Sequence, residues 1–106
     1  MDQREYVQRI LEAYCTTPGT CGVVRRADRL LAVLLYERGV AIESIENALI
    51  LAAARRLARP PGAPPLGIVR SLAYFSPVIE EVLNTEISPN YFRYLRYRLK
   101  QITPAT

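Results

Sequence analysis

At 106 residues and 12.0 kDa the chain has the size of one domain, and a chain of this length buries roughly 65% of its unfolded surface on folding. Half of its residues are hydrophobic and 23% are charged, which excludes the polar, strongly charged composition of a disordered segment. The longest apolar runs, residues 30–36 and 48–54, reach seven residues, far short of the roughly 20 that a membrane-spanning helix requires.

The N-terminus lacks a basic stretch leading into an apolar core, so the expected location is the cytoplasm. There is no histidine, which removes the commonest general base, the usual zinc ligand and every Ser-His or Cys-His nucleophile. Asp and Glu are scattered without a paired or metal-ligand spacing. The expectation is a chain that is not an enzyme and carries no cofactor or metal.

The net charge of +4 is unevenly placed: residues 1–54 hold six Arg against seven acids, and residues 55–106 hold seven Arg and one Lys against three acids. A basic second half points to an acidic partner such as nucleic acid. Thirteen Arg to one Lys is equally what a GC-rich coding sequence produces.

Residues 4–15 place Tyr6, Val7, Ile10, Leu11 and Tyr14 on one stripe, the pattern of a first helix. A cluster of turn formers, residues 16–22, predicts a loop. From about Val24 the apolar positions Ala27, Leu30, Leu31, Leu34 and Leu35 predict a second helix with that stripe buried, stopping at Gly39 as a left-handed cap. Residues 42–58 form a third helix burying Ile45, Ala48, Leu49, Ala52 and Ala53, with Glu43 and Glu46 suited to its first turns.

Residues 59–67, rich in proline, cannot be helical and are expected to be a stiff connector, or alternatively a polyproline ligand. Ile68, Val69, Leu72, Ala73 and Phe75 then suggest a short helix. Ser76-Pro77 reads as the cap and first residue of the next segment, to about Leu83, unless one helix runs through a proline kink. Ser88-Pro89 repeats that signal for a last helix ending near Ile102, before Pro104. The expected fold is all-α: a compact single-domain bundle of five or six short helices without strands.

The last helix carries the densest functional signal. Phe92, Leu95, Leu99 and Ile102 should face the core, while Arg93, Arg96 and Lys100 share another face with Tyr97 beside them. Guanidinium groups neutralise phosphates and open rings stack on unpaired bases, so Arg93, Arg96, Tyr97, Lys100, Tyr94 and Arg70 are the candidate nucleic-acid contacts. A plain solvated face is the competing reading, since cations near a helix C-terminus also answer its dipole.

Arg25, Arg26 and Arg29 crowd the positive end of the second helix, with only Asp28 to compensate. They form a candidate anion-binding cluster, unless glutamates elsewhere in the bundle pair with them. Arg55, Arg56 and Arg59 suit the end of the third helix and with Arg70 would extend a basic surface. Cys15 and Cys21 are spaced for a small disulfide loop, but reduced thiols are expected in a cytosolic chain.

One stretch resembles a known family. The segments 27–31 (Ala-Asp-Arg-Leu-Leu), 36–40 (Tyr-Glu-Arg-Gly-Val), 45–49 (Ile-Glu-Asn-Ala-Leu) and 70–75 (Arg-Ser-Leu-Ala-Tyr-Phe) are similar to the helical C-terminal region of DnaD-type replication-initiation and helicase-loading proteins and of related phage and plasmid replication proteins. In that family a Tyr-x-x-x-Ile-x-x-x-Trp motif follows. Tyr74, Val78 and Val82 stand at its positions here, with valine in place of the tryptophan, and the winged-helix domain that usually precedes this region is not in the sequence. The resemblance covers about half of the chain. It implies a DNA-binding and protein-docking module with Tyr74 near the working surface and a C-terminal helix on DNA.

The sequence therefore suggests a module that binds DNA, single-stranded by preference, as an accessory in replication or maintenance of a mobile element, with a larger replication or element-encoded protein as a further expected partner. The rival is a helical adaptor or self-associating subunit that does not bind nucleic acid.

Overall fold

The computed structural model describes the backbone of residues 1–102 and the side chains of residues 1–101. The described residues form five α-helices and one 3-10 helix, with α3 packed against α1, α4, α5 and the 3-10 helix: α1 (Gln3–Thr16), α2 (Arg26–Glu37), α3 (Ile42–Leu57), the 3-10 helix (Leu72–Phe75), α4 (Ser76–Asn84) and α5 (Pro89–Ile102). No strand occurs among the described residues; a single parallel bridge joins Thr20 to Val69. The fold is the expected all-α bundle. The inward placement expected for Ile102 and the stop before Pro104 lie outside the described side chains.

Each helix boundary has a local cause. The Asp2 carboxylate accepts the Glu5 amide at 2.8 Å and starts α1, satisfying one of the four donors a helix N-terminus leaves open. At its other end Thr17 Oγ1 donates to the Ala13 carbonyl at 2.7 Å and Thr20 Oγ1 to that of Tyr14 at 3.1 Å, so the loop of turn formers closes over the last carbonyls of α1. Gly39, at φ +73°, ends α2. There the Val40 amide reaches the Leu35 carbonyl at 3.1 Å and the Gly39 amide that of Tyr36 at 3.0 Å, the paired bonds of a Schellman motif.

Tyr6, Ile10 and Tyr14 of α1, Ala32 and Leu35 of α2, Ile45, Ala48, Leu49 and Ala52 of α3, and Leu72, Phe75 and Ile79 form the main core. Leu51, on another side of α3, packs with Phe92 and Leu95 of α5. Val78 and Val82 touch both groups and make them continuous. The Tyr6 hydroxyl donates to the Val40 carbonyl at 2.7 Å inside the core, and Tyr14 packs edge-on against Phe75.

The arginines that end α3 turn to internal work. Arg56 Nη2 donates to the Gly67 carbonyl at 2.7 Å and Nη1 to the Tyr74 hydroxyl at 3.1 Å, with the guanidinium 5.5 Å from the Tyr74 ring centre. Arg59 donates to the Pro64 carbonyl. Both hold the proline-rich segment against the end of α3. Val69 then lies extended beside the first loop, its amide donating to the Gly19 carbonyl at 2.8 Å while its carbonyl accepts from Cys21 at 2.9 Å.

Four sequence expectations need correction. The buried face of α2 is Asp28, Ala32 and Leu35, whereas Ala27, Leu30 and Leu34 face solvent, the two leucines 54% and 56% exposed. The helix also starts at Arg26 and not near Val24. Both follow from Asp28, whose Oδ2 accepts the Arg25 amide at 2.8 Å and whose Oδ1 accepts the Leu72 amide at 2.9 Å. One carboxylate sets both the start and the rotation of the helix.

Residues 68–71 are not helical: the bridge to the first loop holds Val69 extended, Ile68 is exposed, and only Leu72–Phe75 coils, as a 3-10 helix. Ser76 is not a cap. Its φ of −53° and ψ of −45° are helical, because the 3-10 helix runs directly into α4. Pro77 falls in the first turn, where the missing N–H has no intrahelical partner to lose.

Three solvent-facing ion pairs tie the elements together: Arg9 to Glu46 at 3.3 Å, Arg38 to Glu80 at 2.7 Å and Arg55 to Glu81 at 2.6 Å. The hydrogen bonds from Arg38 and Arg55 hold the Glu80 and Glu81 carboxyls below the usual carboxylate range. Exposed pairs of this kind add little stability each; they orient α4 between α2 and α3.

Candidate nucleic-acid interface

Helix α5 is laid along α3 by Phe92 and Leu95, which are buried, and by Leu99, which is half-buried. Ser88 Oγ accepts the Asn90 amide at 3.2 Å and its carbonyl accepts that of Tyr91 at 3.0 Å, fixing the start of the helix. With one stripe committed to the core, the helical period turns the remaining side chains outward. Tyr91, Tyr94 and Tyr97 are 45%, 53% and 60% exposed, spaced three residues apart and thus rising about 4.5 Å from one to the next. Tyr91 and Tyr94 lie with ring centres 6.5 Å apart, tilted by 33°. Tyr97 accepts a hydrogen bond at its hydroxyl from Gln101 Nε2 at 2.8 Å.

Four cations and no acid lie on this helix. Arg93 and Lys100 flank the tyrosines on one side and Arg98 on the other, all three exposed and without an ion-pair partner among the described residues. Arg96 differs. Its Nη2 donates to Asn47 Oδ1 at 3.0 Å, and it lines a small cleft with Glu46, Leu49 and Leu99 between α1, α3 and α5. Its guanidinium is directed to α3, away from the ring row.

The other sequence candidates are separate from α5. Arg70 is exposed and stands two residues before Leu72, whose amide Asp28 of α2 binds. Arg25, Arg26 and Arg29 are exposed, and no glutamate pairs with them among the described residues. Arg55, Arg56 and Arg59 form no outward basic surface, since the first pairs with Glu81 and the others hold the proline-rich segment. Tyr74 is 47% exposed under Arg56, while Val78 and Val82 pack between the two parts of the core.

Two members of the α5 surface, Tyr91 and Arg98, were absent from the sequence candidates. The signal for them was present: stepping three residues back from Tyr94 reaches Tyr91, and Arg98 lies one residue beyond Tyr97. Cys15 and Cys21 are both free thiols, with Cys21 Sγ 4.0 Å from the Tyr14 hydroxyl. Burial pushes the Tyr14 hydroxyl up to about 12 and also raises the Cys15 thiol. The Cys21 thiol is lowered, chiefly by a backbone hydrogen bond from Val23.

No group of three or more His, Cys, Asp or Glu arranged to hold a metal ion occurs among the described residues, and no described helix is long and apolar enough to cross a membrane. Compared with known protein families, with characterised proteins and with solved structures, the chain finds no match.

Proposed function

We propose that the chain binds nucleic acid through the outer face of α5, with single-stranded DNA as the preferred ligand, as an accessory module in replication or maintenance of a mobile element. The observation that carries the reading is the row of exposed rings Tyr91, Tyr94 and Tyr97 bordered by Arg93, Arg98 and Lys100 on a helix without a single acid. Each ring offers a stacking surface worth about 1–3 kcal/mol per base, which duplex DNA with its bases already stacked cannot use. The cations supply the phosphate attraction. The replication context rests on the resemblance of residues 27–82 to the DnaD-type C-terminal region, with Tyr74 held by Arg56 at the surface.

Two variants separate the ring contribution from the charge contribution. Replacing Tyr94 and Tyr97 together by Ala is expected to weaken binding to single strands far more than to duplex. Replacing Arg93, Arg98 and Lys100 by Gln is expected to weaken both and to lower the slope of log K against log salt by up to about 2 for single strands. All five side chains are solvent-facing, so far-UV circular dichroism should match the wild type. Unchanged affinity in both variants would refute the assignment to α5.

A further inference from the structure

The outward face of α2 has no intrachain partner yet carries a pattern that complements itself. Asp28, Ala32 and Leu35 are buried, and the helical period therefore aligns Arg26, Leu30, Val33, Leu34 and Glu37 along the opposite side. Leu30 and Leu34 are more than half exposed in the middle of that stripe. Arg26 closes it at one end and Glu37 at the other, and neither has an ion-pair partner among the described residues. The neighbouring Arg38 is committed to Glu80, which leaves Glu37 as the free acid at that end.

We propose that a second copy of this chain docks on this face, with the two α2 helices antiparallel across a two-fold axis near Leu30 and Leu34. In that register Arg26 of each copy meets Glu37 of the other, and Leu30 of each meets Val33 and Leu34 of the other. A two-fold contact must be self-complementary, and a stripe that is basic, apolar, then acidic meets that condition only when antiparallel; a parallel pairing sets like charge against like.

The same arrangement resolves the placement of Arg25, Arg26 and Arg29 at the positive end of their own helix dipole. An antiparallel neighbour brings its negative C-terminal end and Glu37 alongside them. A cleft between α1 and α2, where Val7, Leu11, Val24 and Val33 alternate with Arg4, Glu12 and Arg29, borders the strip on its Val33 side. The footprint remains small. A 12-residue helix is about 18 Å long and 10 Å wide, well short of the roughly 800 Å² per partner of a tight interface, so a weak dimer that forms only towards the upper end of the micromolar range is expected. The contact does not involve α5 and is independent of nucleic acid.

Sedimentation velocity of the full chain without nucleic acid, from about 2 to 200 µM, should show concentration-dependent passage to twice the 12.0 kDa mass. Leu34→Glu, at an exposed position that leaves the fold intact by circular dichroism, should stay monomeric throughout. Arg26→Glu and Glu37→Arg should each raise the dissociation constant by roughly tenfold or more, since each creates two like-charge contacts at once, and the double variant should restore it. A wild type that is monomeric at the highest concentration would overturn the proposal, as would a dimer indifferent to Leu34→Glu. Failure of the charge exchange to restore association would overturn the antiparallel register.

Discussion

Asp28 is the residue on which the most structure depends for its size. It is 2% exposed, and its two oxygens accept the amides of Arg25 and Leu72 at 2.8 and 2.9 Å, joining the start of α2 to the 3-10 helix across 44 residues. Replacing it by Ala removes both acceptors. Leu72 is fully buried, so its amide loses a charge-assisted bond without replacement by water, a cost of about 1.5–3 kcal/mol. The Arg25 amide lies at an exposed helix start, and losing its acceptor there costs about 1 kcal/mol, as for other N-terminal caps.

The expected loss for Asp28→Ala is thus about 2.5–4 kcal/mol, a large share of the roughly 5–15 kcal/mol that holds a small domain. Asp28→Asn keeps one acceptor and turns an NH2 toward the other amide, so it should fall between wild type and Ala. Urea unfolding followed by far-UV circular dichroism measures both, with an unchanged m-value showing that the denatured state is not altered. Asp28→Ala within about 0.5 kcal/mol of wild type, the usual range for an inconsequential surface change, would refute the account of how α2 is positioned.

Two further outcomes are expected. Tyr6→Phe should cost about 1–2 kcal/mol in the same assay, because the Val40 carbonyl beyond Gly39 loses its buried hydroxyl donor. Tyr14 and Tyr6 both have hydroxyls raised by burial, Tyr14 to about 12. Their contribution is therefore fully present below the ordinary tyrosine value near 10 and is lost as pH rises toward 12. The urea midpoint should be flat across neutral pH and fall above about 10. Tyr14→Phe should blunt that fall, and an unaltered alkaline profile would show that Tyr14 is not the buried acid.

The elements that could be read from sequence are those in which a periodic stripe and a chemical stop coincide. Tyr6, Ile10, Leu11 and Tyr14 of α1, the alanine-rich face of α3, Gly39 and the Ser88-Pro89 start of α5 are of this kind. α2 was found but its buried stripe was only half right: Leu31 and Leu35 pack on the core, whereas Ala27, Leu30 and Leu34 face solvent. In a run as apolar as residues 30–36 several rotations satisfy the same periodicity, and what selects one is a bond between Asp28 and an amide 44 residues away. Residues 68–71 failed for a similar reason, as their extended form is set by the first loop and not by their own composition.

The candidate site divides along the same line. That α5 would expose a basic and aromatic face follows from its own period, and Arg93, Tyr94, Tyr97 and Lys100 are found there. Which cations stay free depends on neighbours far along the chain: Asn47 takes Arg96 and Glu81 takes Arg55. The exposed leucines of α2 were invisible for the reason already given, since a sequence does not state which side of an apolar helix is left over.

The most direct test of the central claim is fluorescence anisotropy of the wild-type chain with labelled single-stranded DNA, duplex DNA and RNA, each at low and at physiological salt. The account expects binding that weakens steeply with salt and favours single strands over duplex, as stacking on Tyr91, Tyr94 and Tyr97 requires. No binding to any of the three at low salt would contradict it, and α5 would then stand as a helix whose rings and cations serve the fold or a protein contact alone.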